Sequence, residues 1–234
     1  MAHCVSAAPR HAYLTTFFGC INWTQACPKT TCLQRCGKVQ TTTVHSVELT
    51  RNRAALNIEK QIDILEHIDS LPQFEQAEAQ EKIRDIERAA MQRQQPQVGL
   101  VQLMEYLDRR NIKKGICTRN FDAPVTHLLT TFLPSSKFSP VVTRDFRPPK
   151  PDPAGILHVA QEWRCEDGGN SLIMVGDSID DMTAGYRAGA ATVLLVNKAN
   201  EYLSRHPYTD LVIKQLDDLI GILDKGCVGR EEDR

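Results

Sequence analysis

Three carboxylates, Asp177, Asp180 and Asp181, fall within five residues in Met174-Val175-Gly176-Asp177-Ser178-Ile179-Asp180-Asp181. Leu172 to Val175 reads as a buried strand, Gly176 breaks it, and Ile179 to Ala190 reads as a helix. A strand handing over to a helix is the ligand-binding edge of an open α/β sheet. Carboxylates gathered there suit a hard cation such as Mg²⁺, which takes oxygen ligands. Helix capping by Asp177 or Ser178, favoured by the helix dipole, is a second use of the same residues.

Two other points carry chemistry. Thr118 follows Gly115-Ile116-Cys117 and precedes Arg119-Asn120. A hydroxyl and backbone N–H groups at a strand end can hold phosphate oxygens; a turn threonine is the plainer alternative. Lys150 lies in Arg147-Pro148-Pro149-Lys150-Pro151-Asp152-Pro153, where four prolines in six residues stiffen the backbone. An ammonium on a stiff loop neutralises phosphate at low ordering cost; a solvated lysine in a linker is the other reading. Arg144 and Arg147 read as surface charges, with contact to an anionic substrate as the lesser alternative.

These residues need a scaffold. Leu100, Leu103, Met104 and Leu107 predict a helix and Gly115 to Thr118 a strand. Val125 to Phe132 is a helix, Val141 to Thr143 a strand and Ile156 to Trp163 a helix. After the Leu172 strand and its helix come strands at Thr192 to Val196 and Leu211 to Ile213, then a helix over Leu216 to Leu223. This alternation predicts an α/β fold, a Rossmann-like parallel sheet with helices on both faces. Upstream, Ile58, Ile62, Leu65 and Ile68 recur at helical spacing and Phe74 to Gln94 reads as a second helix. The expected organisation is a segment 1–47, a small all-helical unit 48–98, an α/β core 99–226 and a tail 227–234.

With 234 residues the chain can bury one substantial core, and a net charge of −1 gives no attraction to nucleic acid or an anionic membrane. No apolar run approaches the roughly 18 residues of a membrane span. Neither G-x-G-x-x-G nor a P-loop is present. Cys27, Cys32 and Cys36 do not form paired C-x-x-C spacings, so reduced thiols in an intracellular protein are preferred to zinc.

Residues 1–47 hold no Asp or Glu; Glu48 is the first acid. Basic and hydroxyl-rich, this stretch has the composition of a transit segment. Its Cys and Trp content and weak amphipathic pattern fit better a segment extraneous to the fold. The expected location is the cytoplasm, or the mitochondrion if residues 1–47 are a transit segment.

Thr118, Lys150 and the Gly176–Asp181 run, with Ala184-Gly185 and Ala188-Gly189, together resemble the haloacid dehalogenase-like hydrolase superfamily, in its small-helical-cap, phosphoglycolate phosphatase-like branch. The resemblance spans about residues 50 to 225. It implies a Mg²⁺-dependent phosphatase of a small phosphorylated metabolite, working through an aspartyl-phosphate. Asp177 would be the principal metal ligand, with Asp181 supporting it directly or through water. Thr118, Arg119, Asn120 and Lys150 would bind the phosphate, Thr118 and Lys150 with catalytic roles. Residues 48–98 would be the cap. The oligomeric state has no sequence signal.

The family's first motif, Asp-x-Asp-Gly-Thr after an apolar strand, is absent. Its Asp is the nucleophile, and its strand lies in mid-sheet. The central first strand is therefore missing or replaced, with Tyr13 to Ile21 or Thr42 to Leu49 as surrogates. The expectation is a hydrolase lacking its nucleophile, with the hypothesis that the true product carries it on a different N-terminus; the alternative is a non-catalytic relative that binds a phosphorylated ligand or a protein.

Overall fold

The computed structural model describes residues 13–14, 19–22, 54–59, 64–91 and 94–225. The expectations for most of 1–47, for Ile62 and for the tail 227–234 lie outside these residues, as do the side chains of Cys4, Cys20, Cys27, Cys32, Cys36 and Cys227. The chain divides into two compact units, residues 1–14 with 44–95 and residues 15–43 with 96–234.

The described part of the first unit carries β1 (Tyr13–Leu14), α1 (Ile64–Ser70), α2 (Gln73–Met91) and β3 (Gln94–Gln95), with β1 and β3 paired in parallel. Ile68, Ala79 and Ile83 are its buried apolar residues besides Ile64. Their helical spacing along α1 and α2 gives a narrow apolar stripe, and the outer face carries ion pairs such as Glu78–Lys82. These exposed pairs do little for stability.

The second unit is built on a six-stranded sheet. Its strands are β2 (Gly19–Asn22), β4 (Lys114–Cys117), β5 (Val141–Val142), β6 (Leu172–Gly176), β7 (Ala191–Leu195) and β8 (Leu211–Ile213), in the order β5-β4-β2-β6-β7-β8. Its helices are α3 (Leu100–Arg109), α4 (Asp122–Phe132), α5 (Ala154–Glu162), α6 (Ile179–Ala188) and α7 (Asp218–Lys225). Each predicted strand and helix of the core is present, within a few residues of its expected ends.

Burial explains the near-continuous apolar strands. Ile173 and Val175 pack with Leu103, Leu107, Leu128 and Leu219 on one face. Leu172 and Met174 pack with Ile156, Val159 and Ala184 on the other. Successive side chains point to opposite faces, so a strand covered on both sides must be apolar throughout. Full burial of each such side chain is worth about 1.5–3 kcal/mol. A Cβ on Gly185 would come within 2.9 Å of Met174 Cβ. That closeness seats α6 on the sheet and sets the position of its first turn.

The central slot is filled by β2, a part of the first expected surrogate. Gly19 pairs with Ile116 of β4 and with Val175 of β6. Backbone groups of both neighbours thus gain partners that would otherwise cost roughly 1–3 kcal/mol each. β2, however, runs antiparallel to both, while the β4–β5, β6–β7 and β7–β8 pairs are parallel. Its first residue, Gly19, faces the carboxyl ends of β4 and β6; its last, Asn22, lies beside Leu172 at the start of β6.

Candidate phosphate site at the carboxyl edge of the sheet

Lys150 is the centre of the site. Its side chain is 4% exposed, and Nζ donates to Cys117 O at 2.7 Å and to Asp181 Oδ1 at 2.5 Å. Three segments meet on this one ammonium: the end of β4, the proline loop and the first turn of α6. A buried charge is tolerated only when paired and hydrogen-bonded. The loop's four prolines, with the peptides before Pro148 and Pro151 in cis, hold the lysine backbone.

Asp181 is 1% exposed on its side chain and has several tasks. Its Oδ2 accepts from Ser178 Oγ at 2.6 Å, from Ser178 N at 3.1 Å and from Asp177 N at 3.3 Å. Ser178 Oγ in turn accepts from Asp181 N at 3.2 Å. The exchange is a capping box at the start of α6. Of the two uses expected for these residues, helix capping is the one seen, with Ser178 as the cap. A Cβ on Gly176 would lie 2.4 Å from Asp181 Cβ, so glycine is what permits this turn to close.

Thr118 continues β4, its N–H donating to Val142 O at 2.8 Å. Its Oγ1 accepts from Asn120 N at 3.2 Å, an ST-turn that curls the chain at the sheet edge. Arg119 Nη1 donates to Asp180 Oδ2 at 2.5 Å. This pair and Lys150–Asp181 both tie the end of β4 to the start of α6, on either side of the slot that β2 occupies. Thr118, Arg119 and Lys150 line one pocket together with Cys117 and Thr143. Burial pushes the Cys117 thiol up; the Lys150 ammonium pulls it down and Asp181 pushes it further up. The thiol is thus disfavoured as a nucleophile.

Asp177 is 6% exposed at the carboxyl end of β6. Its carbonyl accepts from Asn200 Nδ2 at 2.7 Å, and the same amide donates to Leu195 O at 3.0 Å. Asn200 was not legible in the sequence, because a side-chain amide bonding two distant carbonyls leaves no spacing signal. Arg144 is a correction: it is not a surface charge but 7% exposed, with its guanidinium carbon 4.2 Å from the centre of the Phe121 ring.

Asp177 and Asp181 offer hard oxygen donors at the expected edge, so the donor chemistry fits Mg²⁺ rather than a soft metal. Both oxygens of Asp181 already accept protein hydrogen bonds. Among the described residues no group of three His, Cys, Asp or Glu side chains gathers into a metal site.

A profile of the haloacid dehalogenase-like hydrolases matches residues 37–195. The chain is 45% identical over 177 residues to an uncharacterized hydrolase of Saccharomyces cerevisiae, covering 73% of this chain and 80% of that one. Among solved structures, a hydrolase from Pseudomonas syringae matches with a TM-score of 0.60 and 21% identity, over 77% of this chain and 90% of that one. CbbY from Rhodobacter sphaeroides, solved in complex with phosphate, matches with a TM-score of 0.59 and 17% identity, over 80% and 96%. The chain belongs to the haloacid dehalogenase-like hydrolase family. The profile begins at residue 37, upstream of the residue near 50 where the motifs alone placed the resemblance.

Proposed function

We propose that this chain is built as a phosphatase of small phosphorylated metabolites and that, with this N-terminal sequence, it binds phosphate better than it hydrolyses it. The observation that carries the reading is Lys150, buried and held between Cys117 O and Asp181 Oδ1. Residues 48–98 are the cap in this reading, and 99–226 the core. Lys150 and Thr118 receive the phosphate, with Arg119 and Asn120 beside them. The Lys150 ammonium, paired with Asp181, offsets phosphate charge. Asp181 positions that ammonium and would support a bound metal. Asp177 would hold Mg²⁺, whose charge would offset the repulsion between phosphate and an anionic nucleophile.

The nucleophile itself is what this chain lacks. Residues 1–47 contain no carboxylate, and β2 presents its beginning, not its end, to the site edge. The same feature favours the second reading, a relative that binds a phosphorylated ligand without turnover.

The test is Mg²⁺-dependent hydrolysis of 4-nitrophenyl phosphate. The intact chain is compared with a version whose residues 1–47 are replaced by an apolar strand ending in Asp-x-Asp-Gly-Thr. The expected result is a rate at least about 10³-fold higher in the repaired version, lost again on Asp177→Asn. Inactivity of both folded proteins, with phosphate still bound, supports the binding reading. Full activity of the intact chain refutes the account of the missing nucleophile.

A further inference from the structure

The acidic edge of the sheet is braced by a residue that carries no charge. Asn200 lies on the loop after β7, just before a short 3₁₀ helix, Glu201–Arg205, and is 5% exposed. Its Oδ1 accepts from Asn197 N at 2.6 Å, while Asn197 Oδ1 accepts from Asn200 N at 3.2 Å and from Ala199 N at 2.8 Å. This exchange fixes which end of the amide is oxygen. Nδ2 therefore turns its two N–H groups to two carbonyls, Asp177 O at 2.7 Å and Leu195 O at 3.0 Å. Folding the loop requires only the Asn197 exchange and the bond to Leu195, five residues back. The bond to Asp177 crosses to another strand, and its acceptor belongs to the acid read above as the Mg²⁺ ligand.

The N–H of Asp177 is also engaged, donating to Asp181 Oδ2 at 3.3 Å. With both its N–H and its C=O held, the Asp177 backbone fixes the point from which the carboxylate springs. A carboxylate has about four lone-pair sites, so hydrogen bonds to it still leave room for a cation. Mg²⁺ demands near-ideal octahedral geometry at about 2.0–2.1 Å, whereas Ca²⁺ accepts irregular shells at about 2.3–2.6 Å. Fixing a ligand therefore favours the demanding ion over the tolerant one. We infer that Asn200 is a positioning residue for the Asp177 carboxylate and sets the site's preference for Mg²⁺ over Ca²⁺. The inference rests on the reading of Asp177 as a metal ligand and goes beyond it, assigning ion selectivity to an amide that acts through another residue's main chain.

Calorimetry with MgCl₂ and with CaCl₂ on the metal-free intact chain tests it. The intact chain should bind Mg²⁺ more tightly than Ca²⁺. Asn200→Leu keeps the bulk and loses both donors; it should weaken Mg²⁺ binding about tenfold or more and Ca²⁺ binding by no more than about threefold. Asn200→Ser can still donate to one carbonyl and should fall between; it decides the matter if the leucine variant does not fold. Tyr106→Phe is the control for lost stability alone. It removes a 2.8 Å bond to Asp224 between α3 and α7, and should lower the melting temperature with the Mg²⁺-to-Ca²⁺ affinity ratio unchanged. A ratio unchanged in the folded Asn200 variants overturns the proposal. So does a preference for Ca²⁺ in the intact chain, an equal loss for both ions, or a ratio that falls in Tyr106→Phe as well, which marks a merely structural role. Mg²⁺ binding that is lost in Asp177→Asn but indifferent to Asn200 sinks the inference and leaves the Asp177 reading standing. If the intact chain binds no Mg²⁺, or Asp177→Asn binds it equally well, both fail.

Discussion

The central strand and the site edge of the same sheet are held in opposite ways. β2 is joined to β4 and β6 by backbone pairing, which almost any short extended segment can supply. The edge above it is held by named side chains, Lys150 on Cys117 and Asp181, Arg119 on Asp180, Asn200 on Asp177. Pairing satisfies the sheet without regard to strand direction. Chemistry does not have that freedom, because only one end of a strand reaches the site. The sheet can therefore be complete whatever its central strand brings to the site.

The sharpest way to break this contrast is to remove a side chain from the edge. Asp181→Leu strands the Lys150 ammonium and opens the capping box, so urea unfolding should show a loss of about 3–5 kcal/mol. Lys150→Met should cost less, since Asp181 keeps its bonds to Ser178 and to the Asp177 N–H. Equal losses would mean that the ion pair alone, not the turn, dominates. In β2 the vulnerable element is the ladder. Cys20→Pro removes a mid-sheet donor and should cost about 1–3 kcal/mol by the same measurement, chiefly from the carbonyl left unpaired. An unchanged midpoint would show that β2 adds little to the sheet.

The smallest effect is a pH dependence at the boundary between the two regions. The Cys117 thiol is raised in the fold, first by burial. Its stabilising share is present below the unfolded thiol's pKa of about 8.5 and is lost as pH rises through the folded value. Intact protein should lose stability above about pH 8.5 more steeply than Cys117→Ala, as read from urea midpoints. Parallel curves would place the thiol in a wetter environment than its burial indicates.

The core was legible because buried strands must be apolar on both faces and helices carry a repeating stripe. Leu172 to Gly176 and the Leu100, Leu103, Met104, Leu107 series satisfy those rules literally. Lys150 was legible through its prolines and the Asp177–Asp181 run through its place after a strand. β2 was half legible: Tyr13 to Ile21 contains most of it, but Gly-Cys-Ile-Asn has no pattern that encodes direction. Arg144 misled because a charge near prolines resembles a loop surface, and the Phe121 ring that covers it lies across the sheet edge. Asn200 was silent because its partners, Asp177 O and Leu195 O, are backbone atoms that any sequence has.

That asparagine has a consequence for the carboxylate next to it. Its amide stands in for a peptide group, adding one more rung just past the end of β6 and at the last residue of β7. The two strand tips cannot splay without breaking that rung. The Asp177 main chain is thereby held at its carbonyl by Asn200 and at its N–H by Asp181, like a board nailed at both ends. Transplanting Gly176-Asp177-Ser178-Ile179-Asp180-Asp181 into another sheet would move the acids but not their stiffness, unless an amide on the neighbouring strand's exit loop travelled with them.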